Sequence, residues 1–404
     1  MQDGLARVRA WNRHEQHDVV GVMTGTSADA VDVVLAHFSG GAVSAAAGTA
    51  PPRVIASHAA PLPHGLRAEV LAAASAGMIE PERILRLDAG LGELYAAAVL
   101  ELLGTAGIEP ASVGAIGLHG QTIRHIPRAD GGGQAMSWQL GSAAILAERT
   151  GICVVSDFRS ADTAAGGEGA PLVPLADWWL FRSNIEARIL LNLGGMANLT
   201  WLPRDARLED VIAFDTGPGN AVIDALAMTC AGTRYDADGA LAASGRVDER
   251  LLGELLGDEY FARTPPRSTG RERFGAAYAS RMLERARTSG VADADVVATA
   301  TALTSASVAD GIDRFVRPRG AVDAVYASGG GVRNRTLMEG LARRLAPTPV
   351  RTLADLGVDA SAKEALAFAC LAHRTLCGLP GNAPSATGAS HPVVLGRITA
   401  GRHS

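Results

Sequence analysis

Short apolar runs that end in glycine-rich turns are the clearest pattern in the chain. The first run, Val19–Met23, leads into the turn Thr24–Ser27, and a second apolar stretch begins near Val31. This order predicts a strand, a tight turn and a second strand. The same order recurs where Ile189–Leu193 leads into Gly194-Gly195 and another apolar stretch. The recurrence is one of topology and not of sequence, and it predicts two similar domains that face each other across a cleft.

Segments with helical spacing of apolar residues alternate with further short strands. The predicted helices are Arg67–Leu103, Ser142–Thr150, Ala276–Arg287, Ala298–Phe315, Asn334–Leu345 and Ala362–Leu376. The predicted strands include Val113–Leu118, Ile152–Val155, Val211–Phe214, Ala324–Ala327 and Val393–Leu395. Strands that each lead into a glycine turn or a helix indicate an α/β fold. Between them, Ser156–Pro171 is polar and contains several glycines, and we expect an irregular loop that carries function.

Length, charge and hydropathy narrow the class of protein. The chain has 404 residues, of which 48% are hydrophobic, and this predicts two domains. We expect an N-terminal domain over residues 1–182 and a C-terminal domain over residues 183–404, with the option that the C-terminal segment packs back on the first. A formal net charge of -5 argues against a nucleic-acid surface.

The expected location is the cytoplasm. No apolar run in the sequence approaches the roughly 20 residues that a membrane span requires. Residues 1–18 lack the apolar core of a signal peptide. We therefore expect a cytoplasmic protein with neither a membrane nor a nucleic-acid partner, and the sequence leaves a homodimer open.

Three glycine turns are candidates for phosphate binding, at Gly25, Gly194-Gly195 and Gly329–Gly331. Backbone N–H groups in such turns and at helix N-termini bind phosphates. One turn alone is more often an ordinary hairpin or αβ loop, but three in two domains favour a nucleotide in an interdomain cleft. The chain lacks G-x-x-x-x-G-K-[ST], which excludes a P-loop protein.

Carboxylates lie beside these turns and in the irregular loop. Asp29 and Asp32 need a cation between them and any phosphate, so they are candidates to hold Mg²⁺ through water or to position a catalytic group. Asp215, at the end of a strand, is another candidate for a water-mediated Mg²⁺ contact, with an Asx turn as the alternative. Asp162 has the chemistry of a general base, although on spacing alone an Asx turn or a helix cap is the safer interpretation.

Polar groups at another strand end suit a sugar. The stretch His119–Thr122 offers several short hydrogen-bonding side chains. A metal site with His125 is less favoured, because no Cys or Glu stands at matching spacing. Glu364 is isolated among the apolar residues of its helix, and a carboxylate there needs a partner.

Two groups of arginines have open roles. Arg159 either neutralises Asp157 or binds a carboxylate bidentately. The loop with Arg267, Arg271 and Arg273 is either a solvated face or an arm that reaches an acid group of the substrate.

Together these stretches resemble one family, the anhydro-N-acetylmuramic acid kinases of the actin/hexokinase/Hsp70 ATPase superfamily. The matching stretches are Gly21–Asp32, Gly117–His125, Trp138–Gly141, Ser156–Leu172, Leu191–Thr200, Phe214–Asn220, Pro265–Glu272, Ser328–Asn334, Glu364–Ala369 and Thr387–Ala389. They run in order over nearly the whole chain from Val19, and as an ordered set they are highly specific. The resemblance implies an α/β fold with two actin-like (ribonuclease H-like) domains that flank an interdomain nucleotide cleft.

The resemblance also implies a reaction that uses ATP and Mg²⁺. Water opens the anhydro bridge of 1,6-anhydro-N-acetylmuramic acid while the released O6 takes the γ-phosphoryl group, and the product, N-acetylmuramic acid 6-phosphate, belongs to peptidoglycan recycling. By motif position, Asp162 corresponds to the base that activates the water. ATP binding is implied for Gly25, Thr26, Ser27, Asp29, Asp32, Asn192, Gly194, Gly195, Gly329, Gly330, Gly331 and Asn334. Sugar binding is implied for His119, Gln121, Thr122, Arg159, Asp162 and Glu364, and a water-mediated Mg²⁺ contact for Asp29 and Asp215.

The chain departs from the family pattern in places. The opening motif usually reads S-G-T-S-L-D-G-[IV]-D, and here Ala30 replaces its second glycine. Glu168 stands where glutamine is usual, close in sequence to the implied base. Two alternatives remain open: a kinase for another 1,6-anhydro-sugar such as levoglucosan, and an actin-like nucleotide-binding protein without catalysis.

Overall fold

The computed structural model describes residues 6–75, 77–128, 132–357 and 362–402, with the backbone alone for residues 6 and 7. The chain forms two compact units: unit 1 contains residues 1–180 and 361–404, and unit 2 contains residues 181–360. The sequence analysis assigned residues 361–404 to the second domain, with packing back on the first as an option. In the structure this segment belongs to unit 1, because its long helix lies directly on the first sheet, as described below.

The elements are numbered along the chain. The strands are β1 Gln16–Thr24, β2 Ala30–Ser39, β3 Arg53–Pro61, β4 Ala115–Ile126, β5 Met136–Leu140, β6 Val154–Ser156, β7 Arg188–Leu193, β8 Met196–Leu202, β9 Ile212–Pro218, β10 Ala324–Ser328, β11 Val350–Thr352 and β12 Arg397–Thr399. The helices are α1 Ala6–Arg9, α2 Gly41–Ala47, α3 His64–Ser75, α4 Pro81–Ala106, α5 Ala143–Thr150, α6 Ser160–Ala164, α7 Val173–Phe181, α8 Asn220–Ala231, α9 Ala240–Ser244, α10 Glu249–Leu256, α11 Glu259–Ala262, α12 Ala276–Thr288, α13 Asp293–Gly311, α14 Arg335–Leu345, α15 Lys363–Leu376 and α16 Pro384–Thr387.

The sheet of unit 1 begins as an antiparallel meander of β1, β2 and β3. Strand β4 adds to β1 in parallel and β6 adds to β4 in parallel, while β12 pairs antiparallel with β6 at the edge. The order across the sheet is β3-β2-β1-β4-β6-β12, and β5 pairs with the C-terminal half of β4. The glycine turn between β1 and β2 therefore lies in the first hairpin, as the hydrophobic pattern predicts.

Two helices cover the two faces of this sheet. On one face, Leu91 and Tyr95 of α4 pack in a core with Val20 and Val22 of β1. On the other face, the backbone of α15 approaches so closely that a Cβ on Gly21 would overlap the carbonyl oxygen of Ala365. Glycine at this position is therefore required by the close packing of α15 on β1.

Helix α4 is also long and apolar enough, by length and composition, to cross a membrane. The sequence analysis did not anticipate a segment that meets this criterion. Its buried residues include Leu87, Leu91, Tyr95 and Val99, all of which belong to the core of unit 1. Packing within unit 1 therefore accounts for the apolar face of this helix.

The sheet of unit 2 repeats the plan of the first. Strands β7, β8 and β9 form an antiparallel meander, β10 adds to β7 in parallel, and β11 adds to β10 in parallel. The order is β11-β10-β7-β8-β9. Both sheets thus place a three-stranded meander beside two parallel strands in the same order. The predicted α/β class with two actin-like domains of similar topology is confirmed.

Three local predictions were wrong. The helical stretch expected over Arg67–Leu103 is divided into α3 and α4, and α4 begins at Pro81, which favours the first turn of a helix. The loop expected over Ser156–Pro171 contains the short helix α6. The strand expected at Val393–Leu395 is absent from the described chain, where β12 lies a few residues later.

Candidate active site

The turn between β1 and β2 carries the first predicted phosphate-binding residues. Ala28 has a left-handed backbone with φ of +50°, and its N–H donates to the Gly25 carbonyl at 3.0 Å. Arg67 of α3 donates to the Ser27 carbonyl at 3.3 Å and pairs with Asp29 at 2.7 Å. The partly or fully exposed residues of the turn are Gly25, Thr26, Ser27 and Asp29. A cationic side chain therefore braces a turn whose polar groups are open to solvent.

Ala30 and Asp32 lie in β2 and not in the turn. Ala30 pairs with Pro61 of β3, and Asp32 pairs with Met23 of β1. The alanine that replaces the usual glycine is thus a strand residue, and the left-handed position is Ala28 instead. The substitution at residue 30 is compatible with the geometry of the turn.

Gln121, in the middle of β4 and not at a strand end as the sequence predicted, links this strand to the first turn. Its Nε2 donates to the Gly25 carbonyl at 3.3 Å, and the residue is 1% exposed. Its Oε1 is buried without a hydrogen-bond partner among the described residues. Thr122, the next residue, accepts a hydrogen bond at Oγ1 from Gln139 at 3.3 Å. A buried amide oxygen without a donor beside the turn is a position where a bound ligand would gain a hydrogen bond.

His119 and Arg159 form a buried pair in unit 1. The Nδ1–H of His119 donates to the Gly120 carbonyl at 2.7 Å, so Nε2 accepts from Arg159 Nη2 at 2.9 Å. Burial, reinforced by the charge of Arg159, lowers the pKa of His119 to about 3. His119 is therefore neutral at physiological pH and acts as a hydrogen-bond acceptor for the arginine. Burial lowers the pKa of Arg159 to about 10, which leaves it charged.

Glu364 stands at the start of α15, within the electrostatic reach of Arg159. Burial raises the pKa of its carboxyl group, and the charges of Lys363 and Arg159 oppose that rise. Lys363, the only lysine in the chain, forms a buried ion pair with Asp177 of α7 at 2.8 Å. In unit 1, Arg159 thus interacts with both His119 and Glu364, although the three residues are far apart in sequence.

A polar cavity of about 430 Å³ adjoins His119, between the middle of β4 and the end of β6. Trp138, which is 41% exposed, and Asp157 are among its lining residues. Asp157 pairs with Arg397 at 2.8 Å. Arg159 instead bonds His119. An aromatic ring beside hydroxyl and charged groups is a lining that suits a sugar.

Asp162 lies in α6 and is fully buried. Its Oδ1 accepts hydrogen bonds from Asn382 Nδ2 and Thr387 Oγ1, each at 2.7 Å. Its Oδ2 accepts the backbone N–H of Gly169 at 2.8 Å. The carboxylate is therefore held by three donors, two of which come from the C-terminal segment more than 200 residues away.

Glu168 has partners of its own. Its carboxylate accepts the backbone N–H of Arg128 at 3.0 Å, and its own N–H donates to the Thr387 carbonyl at 2.8 Å. The carboxylates of Glu168 and Asp162 thus have different donors. The residue that replaces the usual glutamine contributes to the attachment of the C-terminal segment through its backbone.

In unit 2, backbone hydrogen bonds hold the turn Gly194-Gly195. The carbonyl of Gly195 accepts the N–H groups of Gly219 and Ala221 at 3.0 and 3.1 Å, and the carbonyl of Gly194 accepts that of Asn220 at 2.8 Å. These donors stand at the start of α8. The turn therefore has a fixed position without an ion pair of the kind that braces the first turn.

The glycines after β10 pack against the end of β7. Gly329 has φ of +83°, and a Cβ there would lie 2.6 Å from Asn192 Oδ1. A Cβ on Gly331 would lie 2.6 Å from the Cβ of Leu193, whereas Gly330 is exposed. The structure thus brings Asn192 and the glycine triplet together within unit 2.

Asn334 caps the helix that follows this triplet. Its Oδ1 accepts the Leu337 N–H at 2.9 Å, so this acceptor is used by the cap. Beyond the cap, α14 borders a cavity of about 490 Å³ that α9 and α13 also line. Thr336, Gly340 and Ser305 are among the lining residues.

Asp215 holds the arginine-rich loop in place. Its Oδ2 accepts the Thr269 N–H at 2.8 Å, and its carbonyl accepts Arg267 Nε at 3.0 Å. Burial raises the pKa of Asp215 to about 7, against the effects of the Thr269 hydrogen bond and the Arg267 charge. Arg267 is 8% exposed and lies over the rings of Phe214 and Tyr260. This arginine is a structural residue and not part of a solvated face.

The other two arginines of the loop differ from Arg267 and from each other. Arg273 pairs with Asp258 at 2.5 Å. Arg271 is exposed, and a Cβ on Gly195 would lie 3.6 Å from its Nε and Nη2. Its charge also opposes the burial that raises the pKa of Asp224 to about 6. Arg271 is therefore the arginine of this loop that lies beside the second glycine turn.

The Mg²⁺ contacts of Asp29 and Asp215 stay predictions. Among the described residues, no group of three or more His, Cys, Asp or Glu side chains is placed to hold a metal directly. One oxygen of Asp29 is engaged by Arg67, and one oxygen of Asp215 by the Thr269 N–H. Mg²⁺ keeps several waters in nucleotide sites, so these carboxylates suit contacts to those waters and not direct coordination.

Sequence reasoning missed three residues that the structure places at these sites. Arg67 braces the first turn, and Asn382 and Thr387 hold Asp162. Thr387 begins one of the motif stretches, which was a usable signal, whereas nothing in the local sequence around Arg67 or Asn382 marks them.

Two α/β units of one topology, each with a glycine turn between its first two strands, define the class as a two-domain actin-like α/β fold. The family model described as anhydro-N-acetylmuramic acid kinase matches residues 17–401. The chain belongs to the anhydro-N-acetylmuramic acid kinase family.

Similar proteins cover nearly the whole chain. A relative from Caldanaerobacter subterraneus subsp. tengcongensis, named anhydro-N-acetylmuramic acid kinase, is 42% identical over 97% of this chain and 99% of its own length. A relative of the same name from Salinibacter ruber is 45% identical over 96% of this chain and 98% of its own length. Among solved structures, the activator of the 2-hydroxyisocaproyl-CoA dehydratase from Clostridium difficile with bound ADPNP aligns over 89% of this chain and 95% of its own, with 13% identity and a TM-score of 0.43.

Proposed function

We propose that this protein is an ATP-dependent kinase that opens the anhydro ring of 1,6-anhydro-N-acetylmuramic acid with water and phosphorylates O6. The product would be N-acetylmuramic acid 6-phosphate, a step in peptidoglycan recycling. The observation that carries the proposal is the family match over residues 17–401, which includes every candidate site residue named above. Use of ATP favours a cytoplasmic location.

Phosphate binding is assigned to a turn in each unit. In unit 1 the turn around Gly25–Ser27 has its polar groups open to solvent. In unit 2 the turn Gly194-Gly195 lies beside the guanidinium of Arg271, which suits phosphate oxygens. The nucleoside is assigned to the glycine triplet 329–331 and to the cavity bordered by α14. The volume of that cavity lies within the range of small-molecule sites.

Mg²⁺, when bound, would neutralise charge on the phosphates of ATP. Asp29 and Asp215 are the candidates to hold its waters, through the oxygens that Arg67 and Thr269 leave free. The ion pair with Arg67 holds the Asp29 carboxylate at the edge of the first turn, and the hydrogen bond from Thr269 holds that of Asp215, in the middle of β9.

Sugar binding is assigned to unit 1. Arg159 bonds His119 and interacts electrostatically with Glu364, and Gln121 presents a buried oxygen that has no donor in the described part of the chain. Because His119 is neutral, it orients Arg159 and does not serve as a proton donor at physiological pH. The charged Arg159 is the group of this set that suits an acidic substituent of the sugar.

Asp162 is assigned as the base. Water forms a bond to C1 as the C1–O6 bond breaks, and a proton from the water passes to the carboxylate. The O6 electrons then form the bond to the γ-phosphorus as the bond from that phosphorus to the ADP oxygen breaks. Asp162 is fully buried in this conformation, so the catalytic water needs an access path that this conformation does not provide.

The decisive experiment is incubation of the purified protein with ATP, Mg²⁺ and 1,6-anhydro-N-acetylmuramic acid, with detection of the 6-phosphate sugar by mass spectrometry. Phosphorylation of this sugar and not of levoglucosan supports the proposal. Turnover of levoglucosan alone would assign the chain to another anhydro-sugar. Binding of ATP without turnover of either sugar would leave a nucleotide-binding protein without catalysis.

Asp162→Asn tests the assignment of the base. The amide cannot take the proton, so turnover should fall to background. ATP affinity should stay within about twofold, because the hydrogen-bond partners of the Asp162 carboxylate are Asn382, Thr387 and Gly169 and not residues assigned to ATP. Near-normal turnover in this variant would remove Asp162 from the mechanism. The amide also places an N–H₂ group against existing donors, so the melting temperature should fall by several degrees.

A further inference from the structure

We propose that Asn382 and Thr387 are positioning residues that fix Oδ1 of Asp162, so that Oδ2 is the oxygen that receives the proton from water. The inference rests on the proposed role of Asp162 as the base. It gives residues of the C-terminal segment a role in the reaction. It also separates the two carboxylate oxygens of Asp162: Oδ1 is held in place and Oδ2 accepts the proton.

The first support is the saturation of Oδ1. Asn382 and Thr387 are both 0% exposed, and each donates to Oδ1 of Asp162 at 2.7 Å. A carboxylate oxygen accepts about two hydrogen bonds through its lone pairs. Both positions on Oδ1 are therefore taken by side chains that solvent cannot replace.

The second support is the space beside Oδ2. Among the described residues, the Gly169 N–H, at 2.8 Å, donates to Oδ2, which thus has one donor where Oδ1 has two. By its lone pairs, Oδ2 can accept one more hydrogen bond. A Cβ on Gly167 would overlap Oδ2 of Asp162. Glycine at position 167 therefore keeps side-chain atoms away from Oδ2, which is the carboxylate atom closest to that position.

The third support is that both anchors are themselves fixed. Asn382 Oδ1 accepts the Val393 N–H at 2.8 Å, so the amide of Asn382 is oriented with its N–H₂ group towards Asp162. The Thr387 carbonyl accepts the Glu168 N–H at 2.8 Å, and Ser390 N–H donates to the Ala165 carbonyl at 2.9 Å. The C-terminal segment and the loop after Asp162 thus hold each other, and the position of the carboxylate depends on both.

The test is Thr387→Val, which removes the hydroxyl and keeps the shape of the side chain. Without one of its two donors, Oδ1 is less well placed, so kcat should fall by about 10- to 100-fold while the KM values for ATP and sugar stay within about threefold. Thr387→Ser restores the donor and should recover most of kcat. A loss of stability alone would change the amount of folded enzyme and would not give this pattern.

Thr375→Val is the matched control. Thr375 is also a buried threonine of the C-terminal segment, but its hydroxyl donates to the backbone carbonyls of Leu371 and Leu395. The control should lower the melting temperature as much as Thr387→Val and leave kcat per folded molecule unchanged. Equal kcat losses in the two variants would overturn the proposal.

Asn382→Ser provides an independent variant in case Thr387→Val folds poorly. It shortens the donor and should lower kcat with little change in either KM. If the wild-type protein phosphorylates the sugar and Asp162→Asn does not, but Thr387→Val and Asn382→Ser keep full kcat, the positioning role is wrong while the proposed function stands. If the wild-type protein has no sugar kinase activity, the proposed function itself fails.

Discussion

The two glycine turns occupy the same place in two sheets of one topology, yet they are held by different means. In unit 1 a side chain holds the turn, because Arg67 binds both the Ser27 carbonyl and the Asp29 carboxylate. In unit 2 the backbone holds it, because the first residues of α8 donate to the carbonyls of Gly194 and Gly195.

The charges beside the two turns also differ in sign. The exposed group at the first turn includes the carboxylate of Asp29, whereas the second turn lies beside the guanidinium of Arg271. Equal topology therefore does not mean equal chemistry. Under the proposed function, the first turn would bind a phosphate together with its cation, and the second would bind the phosphate oxygens directly.

The largest effect is expected from the pH dependence of the free energy of unfolding that Asp215 of unit 2 causes. The pKa of Asp215 rises from 3.8 to about 7 on folding, so between these values the native state binds more protons than the unfolded state. The free energy of unfolding of the wild type, relative to Asp215→Asn, should therefore fall by about 3 kcal/mol from pH 4 to pH 8 and stay level above that. Chemical denaturation of both proteins across this range gives the difference. A difference that does not change with pH would contradict the burial of Asp215.

A methyl group on Gly329, which packs against the strand that leads into the second turn, should have the next largest effect. Gly329→Ala combines a left-handed φ with a Cβ 2.6 Å from Asn192 Oδ1, so the free energy of unfolding should fall by about 2 kcal/mol. In the control Gly330→Ala, the nearest atom to the new Cβ is 3.8 Å away, and stability should hardly change. Equal losses of stability in the two variants would show that the close packing around Gly329 is not what makes glycine necessary there.

Removal of the guanidinium beside the second turn should weaken nucleotide binding. Arg271→Ala should raise the Kd for ATP about tenfold, because charge-assisted hydrogen bonds to phosphate are lost. Isothermal titration with ATP and Mg²⁺ measures the change, and Arg281→Ala, another exposed arginine in unit 2, is the control. An unchanged Kd in Arg271→Ala would show that the positive charge beside the second turn does not contribute to ATP binding.

The smallest effect should come from the brace of the first turn. The ion pair between Arg67 and Asp29 is partly exposed, so Arg67→Ala should cost about 0.5–1 kcal/mol in the free energy of unfolding. The Kd for ATP should rise less than in Arg271→Ala. A larger rise than in Arg271→Ala would mean that the first turn, and not the second, contributes most to phosphate binding.

Much of the fold and part of the site were accessible from the sequence. The two apolar runs that end in glycine turns correctly indicated β1–β2 and β7–β8, because strand periodicity and glycine turns are local signals. The ordered motifs pointed to the family that the comparison shows. The assigned roles of individual site residues stay predictions.

Other features depend on contacts between distant parts of the chain. The basic loop offered three similar arginines, and only the structure separates the buried Arg267, the ion-paired Arg273 and the exposed Arg271. The choice of Arg159 between Asp157 and another partner was likewise open, and the structure gives His119 as its partner.

The sequence alone determined the repeated hairpin pattern, the glycine positions and the family, since these are recorded in short stretches of residues in a definite order. The tertiary structure decided which groups hold Asp162. Asn382 and Thr387 reach its carboxylate only because α15 packs on the sheet of unit 1 and returns the chain to the first unit. Hydrogen bonds between residues more than 200 positions apart leave no periodic trace in a single sequence, so only folding reveals them.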